Sequence, residues 1–168
     1  MTGKITALEA SEQLDRVLGF FARAEAKASA ILAIDLGILG VCAVNTKWQN
    51  FCDLAVFIEG VGLLVLLGTS LWFAYWTHFP ELRESVSSLV YFGDIAKMER
   101  DAYVKRITEM SHDEYMKQLY TQVWRNSEIV SSKFAYVKYA FWATAAAMPV
   151  WVLYLMTVAT LNMQFVLP

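Results

Sequence analysis

Two carboxylates stand inside runs of apolar residues. Asp35 lies in the run from 28 to 44, and Glu59 lies in the run from 54 to 76. Neither run contains a Lys or Arg that could neutralise the charge. A carboxylate in hydrocarbon costs several kcal/mol, so it is usually protonated, paired or in contact with water. Two interpretations stay open. The carboxyls belong to a polar interior that hydrates when the protein opens, or they are protonated and bonded to a neighbouring helix backbone or hydroxyl.

Signatures of catalysis are absent from the sequence. It contains no GxSxG, P-loop, HExxH or glycine-rich dinucleotide turn. His78 and His112 have no nucleophile or metal partner in the sequence, and the two cysteines, Cys42 and Cys52, lack zinc-type spacing. Whether these cysteines pair is left open. A net charge of −2 without a basic arm disfavours nucleic acid as a partner. We therefore expect no enzyme, metal site or cofactor.

Side chains suited to a small anionic ligand occur in the second half of the chain. Cations that could bind phosphate are Arg125, Lys133 and Lys138. Rings that could stack on a base are Tyr91, Phe92 and Tyr136, and Asn126 could bond to a base edge. The alternative is a solvated helix face whose basic residues meet lipid headgroups where a span begins.

Three apolar runs are long enough to cross a membrane. The chain of 168 residues is 57% hydrophobic and only 18% charged, whereas a soluble domain carries about 25% charged residues. The charge is missing from 28–44, 54–76 and 139–161, and a spanning helix needs about 17–25 residues. We predict an all-α integral membrane protein with three transmembrane helices. Residues 45–53 form an exterior turn and 162–168 an exterior tail.

The first and third spans are predicted to continue as long helices outside the membrane. Thr6 and Glu9 form a capping box that starts an amphipathic lead-in helix within 1–27. Pro80 ends the second helix, because proline cannot donate a backbone hydrogen bond. A second capping box, Ser111 to Glu114, opens a helix that runs through the end of the helical region 77–138 into the third span. Pro149 should kink that span.

Apolar residues of this long helix recur at steps of four and three. The predicted seam consists of Met116, Tyr120, Val123, Ser127, Val130, Phe134 and Val137. Such a seam fits packing against the lead-in helix at least as well as a coiled coil between chains.

The distribution of basic residues predicts the orientation. Residues 1–27 and 77–138 hold thirteen of the fourteen Lys and Arg, and the remaining one is Lys47 in the turn. By the positive-inside rule, the N-terminus and the region 77–138 are cytoplasmic, and the C-terminus is exterior.

Three features of the sequence resemble the Pycsar transmembrane effectors of bacterial anti-phage defence. One is the stretch from Arg23 to Ala30, running into Ile34 and Asp35. The second is the stretch Ser88 to Lys97, which includes Tyr91, Phe92 and Asp94. The third is Asn126 followed by Lys133 ahead of the last span. The resemblance extends from about Leu14 to Leu155.

The resemblance implies a two-part system in the bacterial inner membrane. A partner pyrimidine cyclase responds to phage by making cyclic UMP or cyclic CMP, and the effector senses that nucleotide and impairs the membrane, as in abortive infection. Opening would need several chains, because three helices enclose no useful pore, so a homo-oligomer is expected. The residues implied in ligand binding or coupling are Tyr91, Phe92, Asp94, Arg125, Asn126 and Lys133.

Two alternatives belong to other classes of protein. A small accessory subunit of a transporter could use Asp35 and Glu59 to line an ion path, with no nucleotide ligand. The neighbouring gene, a cyclase or a transporter core, would distinguish the two. A membrane enzyme would need a polar cluster at one interface, and the sequence contains none.

Overall fold

The computed structural model describes residues 6–79 and 88–164, and within these ranges the chain is helical with no strand. The helices are α1 (Ala7–Asn45), α2 (Leu54–His78), α3 (Phe92–Ile95), α4 (Arg100–Glu109) and α5 (His112–Gln164), with a 3-10 turn over Trp48–Cys52. Three of them, α1, α2 and α5, are long and apolar enough to span a membrane. The predicted spans 28–44, 54–76 and 139–161 each lie inside one of these helices. The chain is therefore a multi-pass membrane protein.

The first turn of α1 is held by the predicted capping box. The backbone N–H of Thr6 donates to the carboxylate of Glu9 at 2.7 Å, and the N–H of Glu9 donates to the Thr6 hydroxyl at 3.3 Å. These bonds satisfy donors that the start of a helix otherwise leaves unpaired. The backbone bond from Thr6, helped by the Thr6 hydroxyl, lowers the pKa of Glu9 below its ordinary value of 4.5.

Both ends of α2 follow from local chemistry. The side chain of Asp53 accepts from the backbone N–H groups of Ala55 and Val56 at 2.9 and 3.2 Å, as an N-cap residue does. The helix ends at His78, and the N–H of Phe79 still donates to the carbonyl of Tyr75. Pro80, predicted to end this helix, lies outside the described residues.

Two of the helices are much longer than a bilayer is thick. With a rise of about 1.5 Å per residue, α1 measures roughly 58 Å and α5 roughly 80 Å, against a hydrocarbon core of about 30 Å. Each therefore extends well beyond any single span. The second capping box contributes a bond from the N–H of Glu114 to the Ser111 hydroxyl at 3.2 Å. Helix α5 continues through Pro149, and a kink at that position stays a prediction.

The chain divides into two compact units. We call Ala24–Phe79 with Lys133–Pro168 the bundle unit, and Met1–Arg23 with Pro80–Ser132 the polar unit. The core of the bundle unit consists of three apolar clusters. Their buried members are Ala24, Ala28, Ile31, Val137 and Ala140; Ile38, Leu63, Leu67 and Ala147; and Val56, Tyr154 and Val158. Burial of this apolar surface, together with the close approach that alanines permit, holds the three helices together.

The buried positions of each long helix repeat at steps of three and four. On α2 they include Val56, Leu63, Leu67, Ser70, Ala74 and Thr77. On α1 within the bundle unit they are Ala24, Ala28, Ile31, Asp35 and Ile38. This spacing is the heptad pattern of helices that pack at a shallow angle.

The seam predicted on α5 is half right. Met116, Val130 and Val137 are buried as expected, but Tyr120 and Ser127 are exposed. The buried seam passes through Leu119 and Lys133. Each of them lies one residue before the position that was predicted, Tyr120 and Phe134. The predicted seam favoured apolar side chains over Lys133, which the observed seam buries against Glu25 and Thr77. In the polar unit, Met116 and Leu119 pack with Ala10 and Leu14 of α1. This contact is the packing against the lead-in helix that the sequence suggested as one use of the seam.

Candidate functional site

Asp35 lies at the centre of a three-helix polar contact in the bundle unit. It has no accessible surface, and its two carboxyl oxygens lie 2.6 Å from the Ser70 hydroxyl and 2.7 Å from the Thr144 hydroxyl. The two hydroxyls lie 2.8 Å from each other. One residue comes from each of α1, α2 and α5, and we call this group the polar triad.

The three contacts of the polar triad can be counted in hydrogens. Each hydroxyl carries one hydrogen, so Ser70 and Thr144 together supply two hydrogens for three contacts. A neutral Asp35 carboxyl supplies the third and completes the ring, whereas an ionised carboxylate leaves the hydroxyl–hydroxyl contact without one. The geometry shows that both carboxyl oxygens of Asp35 are bonded to hydroxyls of neighbouring helices.

Apolar residues seal the polar triad on both sides. Along α1 it lies between Ile31 and Ile38, which belong to separate apolar clusters. Along α5, Ala140 and Ala147 flank Thr144 in the same two clusters. The carboxyl is therefore closed off from solvent.

Lys133 forms a second set of polar contacts among α1, α2 and α5, separate from the polar triad. Its side chain is 5% exposed, and its ammonium group lies 3.3 Å from a carboxylate oxygen of Glu25 on α1. The ammonium also donates to the backbone carbonyl of Thr77 near the end of α2. A cation is favoured there, because the last carbonyls of a helix carry partial negative charge. A role of Lys133 in ligand binding or coupling stays a prediction.

Glu59 does not share a layer with Asp35. Its carboxylate accepts from the Thr157 hydroxyl of α5 at 3.2 Å, while its second oxygen is buried without a bond. Ser70, the α2 partner of Asp35, lies about 16 Å further along that helix. The register of α1 and α2 pairs Asp35 with Ser70, whereas Glu59 bonds to α5.

Further polar contacts join the end of α1 and the 3-10 turn to the last part of α5. The hydroxyls of Thr46 and Tyr154 lie 2.8 Å apart. The amide of Asn162 bonds the carbonyl of Asn45 at 3.1 Å and accepts from Asn50 at 3.3 Å. Cys42 and Cys52 are free thiols. None of these bonds was predicted, although the cluster of polar residues flanking each apolar run was visible in the sequence.

Four of the residues implied in ligand binding lie together in the polar unit. The guanidinium of Arg125 lies 5.9 Å from the centre of the Tyr91 ring, and the rings of Tyr91 and Phe92 are 4.9 Å apart. Phe92 is largely exposed, whereas Asp94 is buried and accepts the backbone N–H of Ser88 at 2.8 Å. We call Tyr91, Phe92 and Arg125 the stacking cluster.

The loop that carries the stacking cluster is tightly held. The Ser88 hydroxyl accepts the N–H groups of Val90 and Tyr91 at 3.2 Å each. A Cβ atom at Gly93 would lie 2.6 Å from the Tyr91 ring, so only glycine leaves that ring in place. Asn126, by contrast, donates to the carbonyl of Gln122 on its own helix at 2.9 Å.

A second concave surface in the polar unit was not predicted. It has a volume of about 710 Å³, and its lining includes Tyr103, Tyr115 and His112 beside the apolar Leu89 and Ile107. This groove combines rings that can stack on a base with the start of a long helix. The sequence signal was present in the tyrosines on either side of the Ser111 cap, but spacing alone did not distinguish them from packing residues.

Within residues 6–79 and 88–164, no group of three or more His, Cys, Asp or Glu side chains could hold a metal ion. Comparison with known families finds one match: the model of the Pycsar effector protein domain, PycTM, aligns with residues 9–159 of the chain. No curated protein and no solved structure is detectably similar to it.

Proposed function

The chain belongs to the Pycsar effector family, whose role is anti-phage defence, and on that premise we propose that a cyclic nucleotide triggers it to impair the membrane. Cyclic UMP or cyclic CMP from a partner pyrimidine cyclase is the proposed trigger. The effector itself performs no catalysis in this proposal. It converts binding in the polar unit into separation of the helices of the bundle unit.

The polar triad is the observation that carries this proposal. In a resting bundle with a wholly apolar interior, the entry of water would not be favoured by any polar group. Asp35, Ser70 and Thr144 give the interior three groups that gain solvation once the apolar clusters on either side part. Asp35 can then ionise, which stabilises the open state further. Ligand shifts the equilibrium only if it binds the open state better than the closed one.

The polar unit supplies the proposed nucleotide site. In the stacking cluster, Arg125 would bind the phosphate and the rings of Tyr91 and Phe92 would hold the base. The groove lined by Tyr103, His112 and Tyr115 is a second candidate, supported by its volume and by the helix start beside it. Helix α5 contributes to both units, so movement at either place can reach Lys133.

The proposed setting is the bacterial inner membrane, with the N-terminus and the region 77–138 in the cytoplasm. There the nucleotide would meet its site directly after synthesis. Several copies of the chain would act together, because three helices alone enclose no aqueous path. A transporter subunit is the weaker alternative, since Asp35 is enclosed between apolar clusters and offers ions no route.

The test is a binding and depolarisation experiment on the full chain. Calorimetry on the detergent-purified protein would compare cyclic UMP and cyclic CMP with cyclic purine nucleotides and cyclic oligonucleotides. We expect one cyclic nucleotide to bind, and the same one to depolarise cells that express the protein. Binding without depolarisation, or depolarisation by every nucleotide, would contradict the proposal.

Paired variants assign the nucleotide to one of the two surfaces. Arg125→Ala should weaken binding at the stacking cluster, and Tyr103→Ala with Tyr115→Ala should weaken it in the groove. Lys117→Ala, on an exposed position of α5, is the matched control. If all variants bind as the wild type does, the polar unit is not the sensor.

A further inference from the structure

A groove between α1 and α5 in the bundle unit has an apolar floor and a basic rim. It has a volume of about 400 Å³. Ile31 and Val137, both nearly buried, form its floor, and the largely exposed ring of Phe141 forms part of one wall. The rim carries Lys27 from α1 and Lys138 from α5. We call this surface the lysine groove.

The two lysines of the rim differ from Lys133 in their surroundings. Lys133 is buried and bonded to Glu25, whereas Lys27 and Lys138 are exposed. Among the residues that the structure describes, neither Lys27 nor Lys138 takes part in an ion pair, and no carboxylate lines the groove. The ammonium group of Lys27 lies 5.3 Å from the centre of the Phe134 ring, which holds it beside the groove. The rim is therefore a pair of positive charges without a compensating acid.

Both lysines occupy the same place relative to the apolar runs. Lys27 directly precedes the run 28–44, and Lys138 directly precedes the run 139–161. Residues at the ends of spanning helices lie at the level of the lipid headgroups. The apolar part of the groove then continues from that level into the hydrocarbon region. The surface thus offers cations where lipids carry phosphate and an apolar channel where lipids carry acyl chains.

We propose that the lysine groove binds an anionic phospholipid of the leaflet in which the spans begin. The phosphate lies between Lys27 and Lys138, and one acyl chain lies along Phe134 and Phe141 above the small side chain of Ala30. A zwitterionic lipid fills the same channel more weakly, because its headgroup carries a cation of its own. Since α1 and α5 each provide one lysine and one wall, the bound lipid holds these helices together and stabilises the closed bundle.

The test measures lipid selectivity of the full chain by native mass spectrometry in detergent. Phosphatidylglycerol and phosphatidylethanolamine with identical acyl chains are titrated in parallel. We expect the wild type to prefer phosphatidylglycerol roughly thirtyfold, because each of the two interfacial lysines contributes about fivefold. The double variant Lys27→Gln and Lys138→Gln should lose that preference. The control, Lys105→Gln with Lys117→Gln, changes two exposed lysines of the polar unit and should retain it.

Two further arms separate the lysine groove from a general attraction of anions. Ala30→Trp fills the channel while leaving both charges, and we expect it to reduce phosphatidylglycerol binding. Inorganic phosphate at millimolar concentration should not displace the lipid, because it has no acyl chain. Retention of selectivity by the double Gln variant, or displacement by phosphate alone, would overturn the proposal. Thermal unfolding of each variant shows that it is folded before its binding is compared.

Discussion

Asp35 is chemically unlike its neighbours on the buried side of α1, yet it is the best-bonded polar side chain of the bundle unit. Two hydroxyls from two other helices satisfy both of its carboxyl oxygens. Interhelical bonds of this kind contribute about 0.6–2 kcal/mol each in membranes. Lys133 is bonded by a carboxylate and a backbone carbonyl in a similar manner. Both residues make polar bonds that join α1, α2 and α5.

Substitution of Asp35 separates its structural role from its role in opening. Asp35→Asn should fold and insert, because an amide donates and accepts as a neutral carboxyl does, but it should lose most of the membrane damage, since it cannot ionise. Asp35→Leu should silence the protein, because it removes the polar group that would hydrate the interior. Dye entry and membrane potential are measured after the trigger is supplied, with expression checked in the membrane fraction. Wild-type depolarisation by both variants would show that Asp35 is purely structural.

Substitution of Lys133 tests coupling. Lys133→Ala leaves the Thr77 carbonyl without its cation and should lower the free energy of unfolding by about 2 kcal/mol, the usual loss for a charged hydrogen bond. Nucleotide-dependent toxicity should disappear while membrane insertion persists. An unchanged dissociation constant would assign Lys133 to coupling, and a weakened one to the ligand site. Normal toxicity at normal expression would remove Lys133 from both, with Lys117→Ala as the control.

The cap of α1 gives a pH dependence whose sign follows from its bonds. The pKa of Glu9 is lowered in the folded chain, mainly by the backbone N–H of Thr6. The cap therefore stabilises the first turn above the ordinary pKa of a glutamate, and this contribution is lost as pH falls through the lowered value. Below that pH, the protection of the amides at the start of α1 against hydrogen exchange, relative to the intrinsic rate at the same pH, should fall. Glu9→Gln, which does not titrate, should remove the dependence, and an unchanged profile would show that the capping bond is not formed in solution.

At the scale of helices, small residues decide how closely α2 approaches α5. A Cβ atom at Gly60 would lie 3.4 Å from the ring of Tyr154, whereas one at Gly68 would meet nothing within 4 Å. The same ring carries the hydroxyl that bonds Thr46. A side chain at position 60 therefore competes with a contact that joins α1 and α5.

Gly60→Leu should destabilise the bundle by about 1–3 kcal/mol, the usual cost of overpacking. Gly68→Leu, with the same change in composition, should leave stability close to that of the wild type. The measurement is thermal unfolding in one detergent for both variants. Equal losses would mean that helix propensity or lipid contact, rather than the approach to Tyr154, determines the effect.

At the scale of the whole molecule, α1 and α5 each contribute to both units. A continuous helix has every backbone bond made within itself, so rotation or tilt at one end is carried along its length more readily than through a loop. Family membership places this chain in anti-phage defence. The mechanism that we propose is a bias that the ligand applies at one end of these two long helices.

The orientation of the chain can be tested with reporters. The excess of Lys and Arg in 1–27 and 77–138 predicts that a reporter active only in the periplasm works when fused to Pro168 and is silent when fused after Lys105. Activity from the second fusion with silence from the first would reverse the topology. A reporter active only in the cytoplasm, fused at the same positions, is the matched control.

Local chemistry determined much of this protein in advance. The three apolar runs, the caps at Thr6 and Ser111 and the end of α2 could all be predicted, because each depends on residues within a few positions of one another. The partners of Asp35 could not. Ser70 and Thr144 are 35 and 109 residues away from it, and many other hydroxyls were available. Only the rotation and register of three packed helices select which hydroxyls meet the carboxyl, and the same packing shifted the α5 seam by one residue to bury Lys133 instead of Phe134. Those choices belong to the tertiary structure, since they depend on the mutual fit of whole helix faces.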